Sequence, residues 1–154
     1  MQKTNSVTIQ FNSQSVNEAF ARVSVSAFVA QLDPTVEELY DIKMAVSEAV
    51  TNSIIHGYAG SSEGIITVKC SYEDRKVMIE IIDNGKGINN VEEAMTPLYT
   101  TSIDEERAGL GFSVMQEMTD NVEVCSHPDT GTTVRLTKEL GKAGDVDNYF
   151  PTAN

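Results

Sequence analysis

A β-branched apolar run from Val77 to Ile82 ends abruptly in Asp83-Asn84-Gly85-Lys86-Gly87-Ile88, and this junction constrains the fold more than any other stretch. So short a run reads as a strand, and two glycines one residue apart read as a tight turn of nearly bare backbone. Counting back by the strand period, Asp83 shares a face with Ile81 and Ile79, so its carboxylate points toward whatever layer covers that face. The covering layer needs a polar opening there. Glu48, Asn52 and His56 supply one, spaced i, i+4, i+8 along a helical pattern that otherwise carries an apolar stripe. A second glycine pair, Gly109-Leu110-Gly111, reads as the opening of a later helix.

The remaining elements follow in order. Val7, Ile9 and Phe11 alternate with polar residues and predict a first strand. Ser15-Val-Asn-Glu18 has the capping-box pattern, and Val16, Ala19, Phe20, Val23, Ala27 and Ala30 continue at helical spacing to about Leu32 as the expected core-facing stripe. Asp33-Pro34 breaks that helix, and Thr35-Val-Glu-Glu38 caps a second one. Leu39, Ile42, Val46, Ala49, Val50 and Ser53 form its buried side before Gly57 ends it. Ile65 to Tyr72 and Val77 to Asp83 form a hairpin around Glu73-Asp-Arg-Lys76; Val122 to Ser126 and Thr132 to Thr137 flank a turn at Pro128-Asp-Thr-Gly131. Between the hairpins come a short helix near Val91 to Met95, an irregular stretch from Thr96 to Ala108, and a helix from about Leu110 to Met118. Helices on one face of a mixed sheet make a two-layer α/β (α+β) sandwich without an internal repeat.

The chain has 154 residues, enough for one sizeable core, so residues 1–140 are expected to form a single domain and the patternless polar segment 141–154 a disordered tail. A net charge of −12 without a clustered basic face opposes binding to nucleic-acid phosphates. No apolar stretch approaches a membrane span and the polar Met1 to Asn5 begins no signal peptide, so a cytoplasmic protein without membrane contact is expected. Cys70 and Cys125 lie in separate strand-like runs without zinc-site spacing and read as two buried, reduced thiols.

The acid-Asn helix, the Asp-x-Gly-x-Gly turn and the Gly-x-Gly helix occur here in that order, and together they resemble the GHKL family of ATP-binding proteins, whose nucleotide fold is the Bergerat fold. Phe20-Ala-Arg-Val23, Ala27 to Thr35, Val46 to Asn52, Ile54 to Tyr58 and Pro97-Leu-Tyr-Thr-Thr101 look like the sporulation branch of its anti-sigma-factor kinases. The resemblance runs from about Phe11 to Leu136. It implies an ATP-dependent protein-serine kinase that sequesters a sporulation sigma factor in a nucleotide-bound homodimer and phosphorylates an anti-anti-sigma protein on serine. A stress-response kinase of the same family and a non-catalytic ATP-dependent binding module are the alternatives.

The resemblance also assigns residues. Asn52 matches the asparagine that coordinates Mg²⁺ between nucleotide phosphates, and Glu48 the acid that orients or deprotonates the attacking hydroxyl; spacing alone favours reading Glu48, Asn52 and His56 as a hydrogen-bonded trio at the rim of the core. Asp83 matches the acceptor of the adenine amino group, Gly85 and Gly87 would let the base approach the backbone, and Thr132, with Thr133 beside it, matches a threonine near the adenine. The stretch before Gly109 looks like an ATP lid. Its Thr100 and Thr101 are candidate phosphate contacts, and the N–H groups around Gly109, Leu110, Gly111 and Phe112 could cradle phosphate at a helix start. Arg107 either pairs with Glu105 or Glu106 or, by resemblance, meets the γ-phosphate. Arg22, the one cation between Thr4 and Ile42, reads either as an i, i+4 partner of Glu18 or as a docking contact for a partner's carboxylate.

Overall fold

The computed structural model describes residues 1–96 and 103–141, with the backbone alone described for 103–110. In chain order the elements are β1 (Thr4–Asn12), α1 (Val16–Val29) with a 3-10 turn at Ala30–Leu32, α2 (Val36–Asn52) with a π-helical turn at Ser53–Gly57, β2 (Ile65–Glu73), β3 (Lys76–Asp83), α3 (Val91–Met95), α4 (Ile103–Met118), β4 (Asn121–His127) and β5 (Gly131–Glu139). The strands form one sheet in the order β1-β2-β3-β5-β4. Every pairing among the described residues is antiparallel, so the sheet is not mixed. The cause is that each hairpin is antiparallel within itself and the two join through β3 and β5. β3 and β4 do run the same way, but β5 separates them.

Strand alternation places the core as expected: Val77, Ile79, Ile81 and Asp83 are buried together, beside Ile66 and Val68 of β2 and Val134 and Leu136 of β5. α2 lies at the centre of the helical layer, with α1 and α4 packed on either side. Its buried residues Ile42, Ala45, Val46, Ala49 and Val50 recur at helical spacing, and full burial of each larger one contributes about 1.5–3 kcal/mol. At its start both halves of the capping box form: Thr35 Oγ1 accepts from Glu38 N at 3.1 Å, and Thr35 N donates to Glu38 Oε2 at 2.9 Å. The other oxygen of Glu38 accepts from Gly141 N at 2.6 Å, which ties the end of the described chain to the first turn of α2.

α1 departs from expectation twice. Its buried side is Ala21, Val25, Phe28 and Val29, followed by Leu32, while Val16, Phe20 and Val23 of the expected stripe are 73 %, 54 % and 60 % exposed and Ala19, Ala27 and Ala30 are exposed with them. The helix is apolar on two sides, and the sheet takes the side with the bulkier Phe28, Val29 and Leu32. Nor does Ser15 cap it: Ser15 is itself helical, without a side-chain cap bond. Glu18, the other half of that box, is drawn off by Ser47, whose hydroxyl donates to it, and by Arg22 at 3.7 Å.

Two further expectations are corrected. Cys70 is buried, which pushes its thiol up to about 12, but Cys125 is exposed because β4 turns Val122 and Val124 inward and the alternate residues out. The helix expected from Leu110 begins at Ile103, since residues 103–108 are mostly good helix formers and Gly109 and Gly111 each cost the helix only about 1 kcal/mol. The expected tail lies outside the described residues from 142 onward. No helix among the described residues is long and apolar enough to cross a membrane.

Candidate functional site

The end of α2, the end of β3 and the start of β5 enclose a cavity of about 380 Å³, with walls that include Asn52, His56, Asp83, Lys86, Phe112 and Thr132. Glu48 and Asn52 lie one turn apart on the edge of α2, and α4 brings Gly111 against both. A Cβ on Gly111 would stand 3.2 Å from Glu48 Oε2 and 3.2 Å from Asn52 Nδ2. Burial pushes the Glu48 carboxyl above its ordinary range, and the charge of nearby Glu18 pushes it further. Asn52 Nδ2 is buried without a hydrogen-bond partner among the described residues, an orphan of the kind that marks a ligand-binding amide.

Past Asn52 the helix widens by one residue per turn, with Tyr58 N donating to Ser53 O at 3.0 Å. Such π turns recur at functional sites because they redirect side chains without ending the helix. Ser53, where the turn begins, and Gly57, where it ends, both lie against Asp83. Asp83 is 4 % exposed; its carboxylate accepts from Ser53 Oγ at 3.0 Å and from Gly85 N at 3.0 Å, with the N–H of Thr132 a weaker third donor. Burial raises its pKa, and these three donors pull it partly back.

The glycine turn is fixed by main-chain contacts. A Cβ on Gly85 would lie 2.0 Å from Gly57 O, and Gly87, at φ +72°, would place one 2.0 Å from His127 O. Both glycines are therefore required by chain packing, a different reason from the close approach of a base. Lys86 N donates to Gly57 O at 2.9 Å, Asp129 N donates to Lys86 O at 2.7 Å, and Tyr58 Oη accepts from Asn84 N at 2.9 Å. Ser126 completes this frame, accepting from Ile88 N at 2.8 Å and lying 2.7 Å from Thr132 Oγ1.

Of the residues singled out in the sequence, the structure gathers Asn52, Asp83, Gly87, Phe112 and Thr132 around the cavity, with Glu48 and Gly111 against Asn52. By strand alternation Thr132 lines the cavity and Thr133 belongs to the other face of β5. Thr100 and Thr101 lie outside the described residues, as do the side chains of Arg107 and Leu110. Gly109 to Phe112 do not open a helix: they lie inside α4, where backbone N–H groups are committed to the helix's own ladder. Arg22 stands apart on α1, about a third exposed and paired with Glu18. Sequence reasoning missed Ser53 and Tyr58 as members of the site; a hydroxyl at the end of an apolar stripe was the available signal for the first, because a buried hydroxyl needs a partner.

Three comparisons bear on this arrangement. The profile of the histidine kinase-like ATPase domain matches residues 11–138. An anti-sigma F factor of Thermoanaerobacter sp. (strain X514) is 57% identical over 141 residues, covering 92% of this chain and 98% of that protein. An anti-sigma F factor of Bacillus licheniformis is 51% identical over 144 residues, 94% of this chain and 99% of that one. Among solved structures, the RsbU and RsbW domains of Rv1364c from Mycobacterium tuberculosis superpose with a TM-score of 0.65 at 21% identity, covering 88% of this chain and 32% of that one, a likeness of fold alone.

Proposed function

The chain belongs to the histidine kinase-like ATPase family, and on that premise we propose that it is a cytoplasmic anti-sigma factor of the sporulation F type and an ATP-dependent protein-serine kinase. Its partners on this reading are a sigma factor, which it sequesters, and an anti-anti-sigma protein, which it phosphorylates. The observation that carries the proposal is the convergence of Glu48, Asn52 and Asp83 on one cavity at the junction of α2 and β3.

Asp83 is an acceptor already fixed by three protein donors and suits the amino group of adenine, with Thr132 beside it. Asn52 offers an amide oxygen to Mg²⁺, and its orphaned Nδ2 fits a site completed by a ligand. Bound there, Mg²⁺ supplies charge neutralisation on the phosphates. Glu48 orients the acceptor hydroxyl and takes its proton; burial and Glu18 both make its carboxylate a better proton acceptor. Arg107, Thr100, Thr101 and the N–H groups from Gly109 to Phe112 complete the phosphate end, the last of these once the first half of α4 opens.

A homodimer is supported by the surface of α1 and β1. Residues 4–32 contain only two charged side chains, Glu18 and Arg22, so this region is neutral in a chain of net charge −12. It carries the exposed Val16, Phe20 and Val23 and, in β1, the outermost strand of the sheet among the described residues, and a second copy meets least repulsion there. Arg22 serves on the same helix as the contact for a partner's carboxylate, exchanging its pair with Glu18, which at such exposure is worth only about 0.3–0.5 kcal/mol.

Incubation with γ-labelled ATP, Mg²⁺ and an anti-anti-sigma protein is the direct test. Label on serine of the partner, abolished by Glu48→Gln, is expected; nucleotide binding without any transfer would reduce the protein to a binding module. Arg22→Glu is expected to abolish binding of the sigma factor, the anti-anti-sigma protein or both at unchanged ATP affinity.

A further inference from the structure

The three donors on Asp83 are not equivalent. Two are main-chain amides, of Gly85 and Thr132, and belong to the turn and the sheet; the third is the hydroxyl of Ser53, 4 % exposed and part of the cavity wall. A carboxylate has about four acceptor positions, so three internal donors leave one open toward the cavity. The hydroxyl that supplies the third bond stands at the C-terminal cap of α2, where Ser53 N still donates to Ala49 O and the π turn begins. The same turn sets Gly57 so close that a Cβ there would stand 2.9 Å from Asp83 Oδ1, which fixes the carboxylate from one side while Ser53 holds its other oxygen.

We infer that Ser53 is a positioning residue for base selection: its hydroxyl holds Asp83 as an acceptor with one open position, so that a purine bearing an exocyclic amino group is taken and one bearing a carbonyl there is rejected. The inference rests on the reading of Asp83 as the adenine contact. Without the hydroxyl, Asp83 keeps two donors and a second open position. Its carboxyl is then free to turn or to take up a proton, and a protonated carboxyl donates to a carbonyl as readily as an ionised one accepts from an amino group. Specificity for the base would then reside in one hydroxyl on a helix that also carries Glu48 and Asn52.

The test is calorimetric titration of the full chain with the Mg²⁺ complexes of adenosine and inosine diphosphate, which differ at the position in question. Ser53→Ala is expected to lose about tenfold in affinity for the adenosine ligand, the scale of one hydrogen bond to a charged group. Its affinity for the inosine ligand should change by less than about threefold, so that discrimination narrows. Equal weakening of both ligands, or no change in either, overturns the inference, because a purely structural hydroxyl would not move the ratio. Should Ser53→Ala fail to fold, Ser53→Cys, a weaker donor of similar size, carries the same comparison and is expected to fall between Ala and the wild type; wild-type discrimination there would count against the hydroxyl. Asp83→Asn separates the two readings: wild-type affinity for adenosine diphosphate in that variant overturns the adenine assignment itself, whatever Ser53 does.

Discussion

The two ends of the cavity are built on opposite principles. At the Asp83 end nearly every contact is main chain or is locked by main chain: Gly85 on Gly57, Gly87 on His127, Lys86 N on Gly57 O, Asn84 N on Tyr58 Oη. At the other end the residues proposed to grip phosphate, Gly109 to Phe112, belong to an ordinary helix that begins at Ile103. A rigid, flat base can be met by a rigid frame prepared in advance. A flexible triphosphate, on the proposed reading, is met by amides that a helix must first release, and the cost of that release is subtracted from the affinity. On that reading specificity belongs to the preformed end and conformational response to the other.

Three substitutions test this contrast. Glu48→Gln should have the largest effect, lowering phosphoryl transfer by about 10²–10⁴-fold while nucleotide affinity stays within a few fold; single-turnover transfer alongside calorimetry checks it, and undiminished transfer would remove Glu48 as the base. Gly85→Ala should damage the preformed end, because its Cβ meets Gly57 O at 2.0 Å. We expect a loss of about 1–3 kcal/mol in stability and weaker nucleotide binding together, read by thermal unfolding and titration. Gly109→Ala should act with the opposite sign on stability. It favours α4 by roughly 1 kcal/mol and so weakens nucleotide binding by about fivefold. A stabilised variant with undiminished affinity would mean that α4 need not open.

The smallest expected effect is on the nucleotide-free protein. The native pKa of Glu48 lies above its unfolded value, so between the two the native state holds more protons than the unfolded state. Stability contributed at this position is therefore lost as pH rises from the ordinary carboxylate range through the raised value. Glu48→Gln removes that dependence, and its midpoint should exceed the wild type's by about 1–2 °C at neutral pH, with the gap closing in acid. A constant gap across that range would assign the gain to packing.

The comparison also explains what could be read in advance. α2 and β3 were legible because each has one apolar side and one polar edge, so a single period decides which way Asp83 and Asn52 face. α1 was not, because Val16, Phe20 and Val23 compete with Val25, Phe28 and Val29 for the same sheet, and periodicity does not rank two apolar sides of one helix. The same limit governs caps. Thr35 and Ser15 each precede a glutamate by three residues, yet only Thr35 forms the box, since Glu18 is claimed by Arg22 one turn on and by Ser47, which lies outside the local pattern. Ser53 was placed on the buried side of α2 correctly, but its role depends on β3, thirty residues away in sequence.

Glu38 has a consequence of a mechanical kind. One carboxylate oxygen closes the capping box on Thr35 and the other receives Gly141 N, so the last described residue hangs from the first turn of the helix that carries Glu48 and Asn52. Glu38 therefore joins the segment that leaves β5 to the start of α2, so that a substitution at this one carboxylate loosens the cap and the exit from the sheet together.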